Sequence, residues 1–288
     1  MAEREPNAHQ FTLDDALGVD TTGFMDLEDP NYAYMFGFLQ ADGHLSAQSR
    51  QRGRLTVEIN AQDIDLLREF QKLTPYNSSI TERTRSTNFA ATHHSAVWSL
   101  HSLEARTKLN ELGLPYGRKS KKITPPRVEF SRRDYLRGVI DADGSVGYTS
   151  KGVPFISLTT ASTAIGAYLC FYARKITGAE RHPRPNQRDG IYNITYSGKA
   201  AHALSGHLYY SGCLSLKRKQ SAADSVANWV RPTGWKPGPE RIQWTSEKDK
   251  VLLSVPTIDD ACAELGHSQN ACRARLTKLL DGMVPLPK

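Results

Sequence analysis

Two short stretches, GFLQADGHL at 37–45 and GVIDADGSV at 138–146, each place an aspartate directly before a glycine at the end of an apolar run. The carboxyl end of a helix carries partial negative charge, so an acid there destabilises the helix. If two such helices pack side by side, Asp42 and Asp143 also repel each other. A divalent cation between them would offset both effects, and Mg²⁺ suits a site with one or two carboxylates. The pair therefore predicts a magnesium site.

Small residues stand four apart within each stretch, at Gly37 and Ala41 and at Gly138 and Ala142. Residues at this spacing share one face of a helix, and small side chains allow two helix backbones to approach closely. The spacing predicts that the two helices form an interface and bring their ends together. The glycine after each aspartate suits a left-handed exit from the helix.

The elements around the two stretches recur in one order: helix, strand, strand, helix, strand, strand, helix. RKS at 118–120 is matched by RKQ at 218–220. Such a repeat predicts a duplicated α+β domain with pseudo-twofold symmetry, its copies at 31–125 and 126–230. Alternating strands with one polar face predict antiparallel sheets open to a ligand, with one strand near Arg181.

Three segments flank the repeats. Residues 1–30 are acidic and weakly patterned, which predicts a tail or a loosely docked arm. Residues 231–243 are rich in proline and glycine, which predicts a linker. Residues 244–282 show three short helical patterns and resemble helix-turn-helix or Myb-like DNA-binding units. A protein-docking unit is the alternative for this last segment.

The charge of the chain is unevenly distributed. Residues 1–30 hold eight acids and one base, so residues 31–288 carry 36 bases against 22 acids, a net charge of +14. A basic body predicts an anionic partner, and nucleic acid is the first candidate. Four cysteines without paired spacing are typical of a cytoplasmic protein, and the longest uncharged apolar run, 161–173, is too short to span a bilayer. We expect a protein without a membrane segment in a prokaryotic or phage-infected cell.

The paired stretches, MFGFLQADG at 35–43 and LRGVIDADG at 136–144, resemble the motifs of LAGLIDADG homing endonucleases. The resemblance covers about residues 31–225, with both copies in register. It implies duplicated αββαββα repeats whose two motif helices form the central interface. The first copy departs from the pattern at Gln40, where the second has Asp141. This inner position is usually not the metal ligand in the family, so the resemblance still implies an active nuclease.

The resemblance also implies a reaction and a cofactor. Asp42 and Asp143 would share two or three Mg²⁺ ions, with Mn²⁺ as a substitute, assisted by the backbone carbonyls of Ala41 and Ala142. Metal-bound water would hydrolyse both strands of double-stranded DNA. Two unlike DNA-binding saddles on one chain imply a monomer and a long asymmetric site, with no small-molecule substrate.

Several basic residues are candidates for catalysis or DNA contact. Lys199 opens the last helix of the second repeat, where the family often has a lysine, although the matching place holds Glu104. Lys119 and Lys219 are further candidates for phosphate contact. Candidate contacts on the strands are Arg50, Arg52, Arg54, Arg83, Arg85, Arg181, Arg184 and Arg188. Candidates on the last helix are Asn270, Arg273, Arg275 and Lys278.

Two other functions stay open at this point. Some bacterial transcriptional regulators join a degenerate LAGLIDADG region to a helix-turn-helix unit, but they tend to lose the motif acids that this chain keeps. An intron RNA maturase could use the same scaffold. A free-standing or intron-encoded enzyme that spreads its own gene is favoured over an intein, since the chain lacks a starting Cys or Ser and a terminal His-Asn.

Overall fold

The computed structural model describes residues 21–46, 52–87, 90–231 and 244–287. The chain divides into two compact units, Met1–Trp229 and Val230–Lys288. The first unit combines helices with antiparallel sheets, which confirms the predicted α+β class. Within the described ranges, no helix is long and apolar enough to cross a membrane.

The first repeat contains three helices and four strands. In chain order they are α1 (Pro30–Asp42), β1 (His44–Leu45), β2 (Leu55–Asn60), α2 (Ile64–Leu73), β3 (Ser78–Thr87), β4 (Ala90–Leu100) and α3 (Leu103–Glu111). The strands form an antiparallel sheet in the order β1-β2-β4-β3. One face of this sheet is buried, because Leu55, Val57 and Trp98 point toward the core.

The second repeat follows the same order up to its last strands. Its elements are α4 (Arg132–Asp143), β5 (Gly144–Tyr148), β6 (Pro154–Thr160), α5 (Thr163–Thr177), β7 (Tyr192–Ser197) and α6 (Lys199–Leu208). The sheet has three antiparallel strands in the order β5-β6-β7. A further helix, α7 (Lys217–Ala227), is the last element of the first unit. This helix was not predicted from the sequence.

The strand predicted near Arg181 does not form. Residues 178–191 make a loop whose only strand-like pairing is a single bridge between Pro185 and Tyr192. Proline cannot donate to a sheet ladder, and prolines stand at 183 and 185. Gly190 adds a left-handed turn at φ 71°. The two prolines and the turn at Gly190 therefore explain why this segment forms a loop and not a fourth strand of the sheet.

Helices α1 and α4 are buried on all sides. Every residue from Ala33 to Gln40 is buried in α1, and every residue from Asp134 to Asp141 is buried in α4. Such enclosure identifies core helices rather than surface helices. Asp29 begins α1 as its N-cap, accepting hydrogen bonds from the backbone N–H groups of Asn31 and Tyr32.

The segment just before α1 belongs to the core and not to a loose arm. Phe24, Met25 and Leu27 are nearly inaccessible to solvent. The prediction of an acidic arm ending at residue 30 is therefore wrong for residues 21–29, because apolar side chains between the acids pack inward. Residues 1–20 lie outside the described residues.

The exits from α1 and α4 are extended, so the expected left-handed conformation is wrong. Gly43 has φ −68° and Gly144 has φ −113°. The glycines are required by space instead. A Cβ atom would lie 2.6 Å from the Leu39 carbonyl oxygen at Gly43 and 2.4 Å from the Ser157 carbonyl oxygen at Gly144.

The second unit has three short helices in its described part, α8 (Ser246–Ser254), α9 (Ile258–Leu265) and α10 (Gln269–Leu280). Gly266 ends α9 in the left-handed region at φ 68°. A small core joins the helices, formed by Leu252, Ala261, Leu265, Cys272 and Leu279. Most of the predicted linker, residues 232–243, lies outside the described residues.

Candidate functional site

The two motif helices, α1 and α4, contact each other backbone to backbone at their glycines. A Cβ atom on Gly37 would lie 2.2 Å from the carbonyl oxygen of Tyr135, and one on Gly138 would lie 2.1 Å from that of Tyr34. Both distances are far too short for a side chain, so only glycine fits at these positions. Ala41 and Ala142, the other small residues of the predicted interface, lie nearer the helix ends and are half-buried.

Crossed hydrogen bonds tie each motif helix to the inner motif residue of the other. The hydroxyl of Tyr34 donates to Asp141 over 2.7 Å, and the hydroxyl of Tyr135 donates to the side-chain oxygen of Gln40 over 2.6 Å. The four residues occupy matched positions of the two repeats. These hydrogen bonds between the helices were not predicted from the sequence. The two tyrosines could have indicated them, since they are separated along the chain by the same number of residues as Asp42 and Asp143.

The inner motif positions also anchor the surrounding chain. Gln40 donates through Nε2 to the carbonyl oxygens of Gly113 and Thr124, at 2.7 and 3.1 Å. Asp141 instead accepts from the hydroxyl of Tyr209 at 2.6 Å and from the backbone N–H of Leu216 at 2.8 Å. In the first repeat the neighbours of Gln40 are carbonyl oxygens, which require a donor such as its amide. In the second repeat the neighbours of Asp141 are O–H and N–H donors, which require an acceptor such as its carboxylate. The difference between the motifs therefore follows from two different buried environments.

Asp42 and Asp143 stand at the ends of the motif helices, exposed to solvent. Partial desolvation of the carboxylate and the nearby charge of Asp42 raise the pKa of Asp143 to about 6. Burial also raises the pKa of Asp42, while the charges of Lys119 and Lys219 oppose that shift. The tertiary structure thus brings two acids and two bases into one electrostatically coupled group.

The two lysines of the repeated RK pairs cap the carboxyl ends of the motif helices. Lys219 Nζ donates to the carbonyl oxygens of Ile140 at 2.8 Å, Asp141 at 2.6 Å and Gly144 at 2.7 Å. Lys119 Nζ donates to the carbonyl oxygens of Gln40 and Ala41.

Both ammonium groups are nearly inaccessible to solvent, and burial lowers the pKa of Lys219 to about 8. Burial also lowers the pKa of Lys119. Cations at this end of a helix offset the negative end of its dipole. The positive charges of Lys119 and Lys219 therefore offset part of the negative charge of Asp42 and Asp143.

The donor set fits a small hard cation. Asp42 and Asp143 supply carboxylate oxygens beside helix-end carbonyls, and both side chains reach solvent. Mg²⁺ commonly binds through one or two carboxylates and retains several waters. Across the described ranges, no cluster of three or more His, Cys, Asp or Glu side chains forms an all-protein metal cage. The carbonyl of Ala41, a predicted metal ligand, accepts a hydrogen bond from Lys119.

Lys199 is placed differently from the other two lysines. It begins α6 and is exposed, as predicted for a residue that opens this helix. Among the hydrogen bonds and ion pairs of the described residues, none connects Lys199 to Asp42 or Asp143. The described structure therefore places the charges of Lys119 and Lys219, but not that of Lys199, where they act on Asp42 and Asp143.

The predicted arginines fall into two groups. In the first repeat Arg83 and Arg85 lie on the solvent-facing side of β3, and Arg85 pairs with Glu58 at 2.9 Å. Arg52 and Arg54 are exposed in the segment just before β2, and Arg50 lies outside the described residues. The prediction that the second-repeat arginines lie on a strand is wrong, since that segment is the 178–191 loop. Those exposed loop residues are Arg181, Arg184 and Arg188.

In the second unit, the predicted recognition-helix residues have different roles. Asn270, Arg273 and Lys278 are exposed on α10. Arg275 instead forms a two-point ion pair with buried Asp249 of α8, at 2.8 and 2.5 Å. Its guanidinium also lies 5.6 Å from the centre of the Trp244 ring. The side chain of Arg275 therefore joins two helices, and its predicted contact with DNA stays a prediction.

Comparisons with known proteins give weak structural similarities. No protein-family model matches the chain, and no curated protein matches it by sequence. The homing endonuclease I-WcaI bound to its DNA recognition sequence is 13% identical with a TM-score of 0.47, covering 73% of this chain and 96% of that one. Mesophilic variants of the homing endonuclease I-DmoI are 13% identical with a TM-score of 0.47, and the match covers 67% of this chain and 96% of that one.

Full-length DUF199/WhiA from Thermatoga maritima is 11% identical with a TM-score of 0.42, covering 93% of this chain and 94% of that one. These similarities are too low to assign a role to any residue of this chain. The roles of individual side chains are therefore inferred from their own contacts.

Proposed function

We propose that this chain is a metal-dependent DNA endonuclease of the LAGLIDADG homing type, acting as a monomer at a long asymmetric site. One observation carries the proposal. Two helices in backbone contact end in two solvent-exposed aspartates, whose charges interact with each other and with two buried lysines. Acids held together at such cost to stability are typical of an active site rather than of a structural core.

The charge arrangement suits a phosphodiester. A phosphate approaching the helix ends would be attracted by the positive charges of Lys119 and Lys219, which act on both carboxylates although the two lysine side chains are themselves buried. The +14 charge of residues 31–288 would attract DNA over a longer range. The outward arginines of β3 would contact phosphates or guanine edges in the major groove.

Asp42 and Asp143 would hold Mg²⁺, or Mn²⁺ as a substitute. A bound divalent ion would stabilise charge on the phosphate and lower the pKa of water. The role of the protein is to orient the two carboxylates. The crossed tyrosine bonds fix α1 against α4, and the two lysines fix the helix ends where the acids stand.

The two halves of the first unit would read different DNA. The first half presents a four-stranded sheet, whereas the second presents three strands and a loop carrying three arginines. Unequal surfaces on one chain suit an asymmetric site without a second subunit. Cutting such a site would promote the mobility of the encoding gene or intron.

The test begins with DNA selected by the full-length protein from a randomised duplex library. A supercoiled plasmid carrying the selected site is then incubated with the protein and Mg²⁺. We expect nicked and then linear plasmid. The double variant Asp42→Asn with Asp143→Asn should bind the same site without cutting it, because it keeps the shape of the site and loses both charges.

Two results would contradict the proposal. Cleavage by the double variant at the rate of the unmodified protein would refute the site. Tight binding without cleavage by the unmodified protein, with either Mg²⁺ or Mn²⁺, would favour a transcriptional regulator. The three-helix second unit with exposed Asn270, Arg273 and Lys278 supports that second candidate, since a helix-turn-helix unit would serve it equally well. Preference for structured RNA over duplex DNA would favour a maturase.

A further inference from the structure

Two cysteines of the second unit lie in contact. Cys262 is on α9 and Cys272 is on α10, and their sulfur atoms are 3.7 Å apart. A disulfide bond requires about 2.05 Å between the sulfur atoms. The sulfur atoms therefore need to come only about 1.7 Å closer to form the bond.

The two sulfurs differ in access. Cys262 is half-buried, whereas Cys272 is completely buried in the small core. Burial, with a contribution from Cys262, raises the pKa of Cys272 to about 11. A thiolate is the reactive form of cysteine, so an oxidant in solution would react at Cys262 first.

The pair is not accounted for by the other chemistry of the chain. Cys170 and Cys213 belong to the first unit, and Cys213 donates to the side-chain oxygen of Gln220. A structural zinc ion would need about four nitrogen or sulfur ligands. The described residues offer no group of three or more His, Cys, Asp or Glu side chains around this pair.

We propose that Cys262 and Cys272 form a redox modification site, which a peroxide oxidises to an intramolecular disulfide. The Cys262 thiol loses its proton, and the thiolate attacks one peroxide oxygen. The O–O bond breaks, Cys262 becomes a sulfenic acid, and the departing hydroxide takes up the thiol proton and leaves as water. The Cys272 sulfur then attacks the Cys262 sulfur, the S–O bond breaks, and the Cys272 proton leaves with the hydroxide as a second water. Two thiols are oxidised and one hydrogen peroxide is reduced to two waters.

The consequence is a covalent connection between α9 and α10 across the turn at Gly266. The few residues of the second unit's core are otherwise the main hydrophobic contact among its three helices. A crosslink restricts the unfolded state of the loop that it closes, so the oxidised unit should resist local unfolding. This inference does not depend on the proposed nuclease activity.

The experiment uses the full-length reduced protein and a small excess of hydrogen peroxide under native conditions. The protein is then denatured, alkylated with iodoacetamide and digested with trypsin. Residues 251–273 form a single tryptic peptide that contains both cysteines, because no Lys or Arg lies between Lys250 and Arg273. We expect this peptide to lose two hydrogens and take up no alkyl group. Dithiothreitol should restore alkylation at both positions.

Two variants separate the steps. Cys272→Ala should leave Cys262 as a sulfenic acid, which dimedone labels. Cys262→Ser should leave Cys272 fully alkylatable after denaturation. Full alkylation of both cysteines in the oxidised wild-type protein would overturn the proposal. A crosslink from Cys262 to Cys213, Cys170 or a second chain in place of Cys272 would overturn it as well.

Discussion

Asp143→Asn should make the protein more stable at neutral pH. Partial desolvation of the Asp143 carboxylate and, second, the nearby charge of Asp42 raise its pKa from the ordinary 3.8 to about 6. A carboxyl with a raised folded pKa contributes stability below about pH 4, and that contribution is lost as the pH rises toward 6. At pH 7 the charged form is therefore unfavourable in the folded state, and asparagine removes the charge while keeping the shape.

The size of the effect follows from the pKa shift and the exposure. A shift from 3.8 to about 6 corresponds to about 3 kcal/mol at 1.36 kcal/mol per pKa unit. Because the Asp143 side chain still reaches solvent, both its desolvation and its repulsion from Asp42 are weaker than for a fully buried carboxylate, and we expect about 1 kcal/mol. For a domain of this size, that corresponds to a rise in melting temperature of about 2–4 °C.

The assay is thermal and urea unfolding of the metal-free full-length protein at pH 4 and pH 7. Glu129→Gln is the matched control, since Glu129 is an exposed acid that precedes the amino end of α4, at the opposite end of that helix from Asp143. Asp143→Asn should match the wild-type protein at pH 4 and exceed it at pH 7, whereas Glu129→Gln should differ at neither. A loss of stability at pH 7, or the same gain at both pH values, would refute the reasoning. Added Mg²⁺ should stabilise the wild-type protein and have no effect on the double variant that lacks both carboxylates.

Two further predictions concern the helix interface. Gly37→Ala and Gly138→Ala should each cost about 3 kcal/mol in urea unfolding, since the added Cβ would meet a backbone oxygen at 2.2 or 2.1 Å. Gly206→Ala on α6 should instead gain about 0.5–1 kcal/mol, because its Cβ would lie 3.5 Å from Ala227; equal effects at all three sites would contradict the close approach. Asp141→Asn should cost about 2–3 kcal/mol, because it places an NH2 donor where a carboxylate oxygen accepts from a tyrosine hydroxyl or the Leu216 N–H. Burial raises the pKa of Asp141, so the loss of its charge offsets part of this cost. An unchanged urea midpoint would show that these bonds contribute little.

Much of the fold could be predicted from local sequence. Periodic apolar residues, caps and turns predicted the duplicated α+β repeats, the two motif helices and the three helices of the second unit. The juxtaposition of the motif helices was also predictable, since small residues recur on one face of each. These features depend on residues close together in the chain, so they can be recognised in the sequence without knowledge of the tertiary structure.

Other features were decided by distant residues. The repeated RK pairs single out Lys219, but they do not show what its side chain contacts. The structure buries Lys219 of α7 against three helix-end carbonyls and leaves Lys199 exposed. The sequence of α10 suggests that Arg275 is a surface residue. In the structure it forms an ion pair with Asp249 on another helix.

The sequence alone determined that two aspartates end two similar helices. Only the tertiary structure decided which bases stand beside these acids and why one motif carries glutamine at its inner position. The physical reason is that desolvation and long-range hydrogen bonds depend on which surfaces meet, and a single stretch of chain does not specify that.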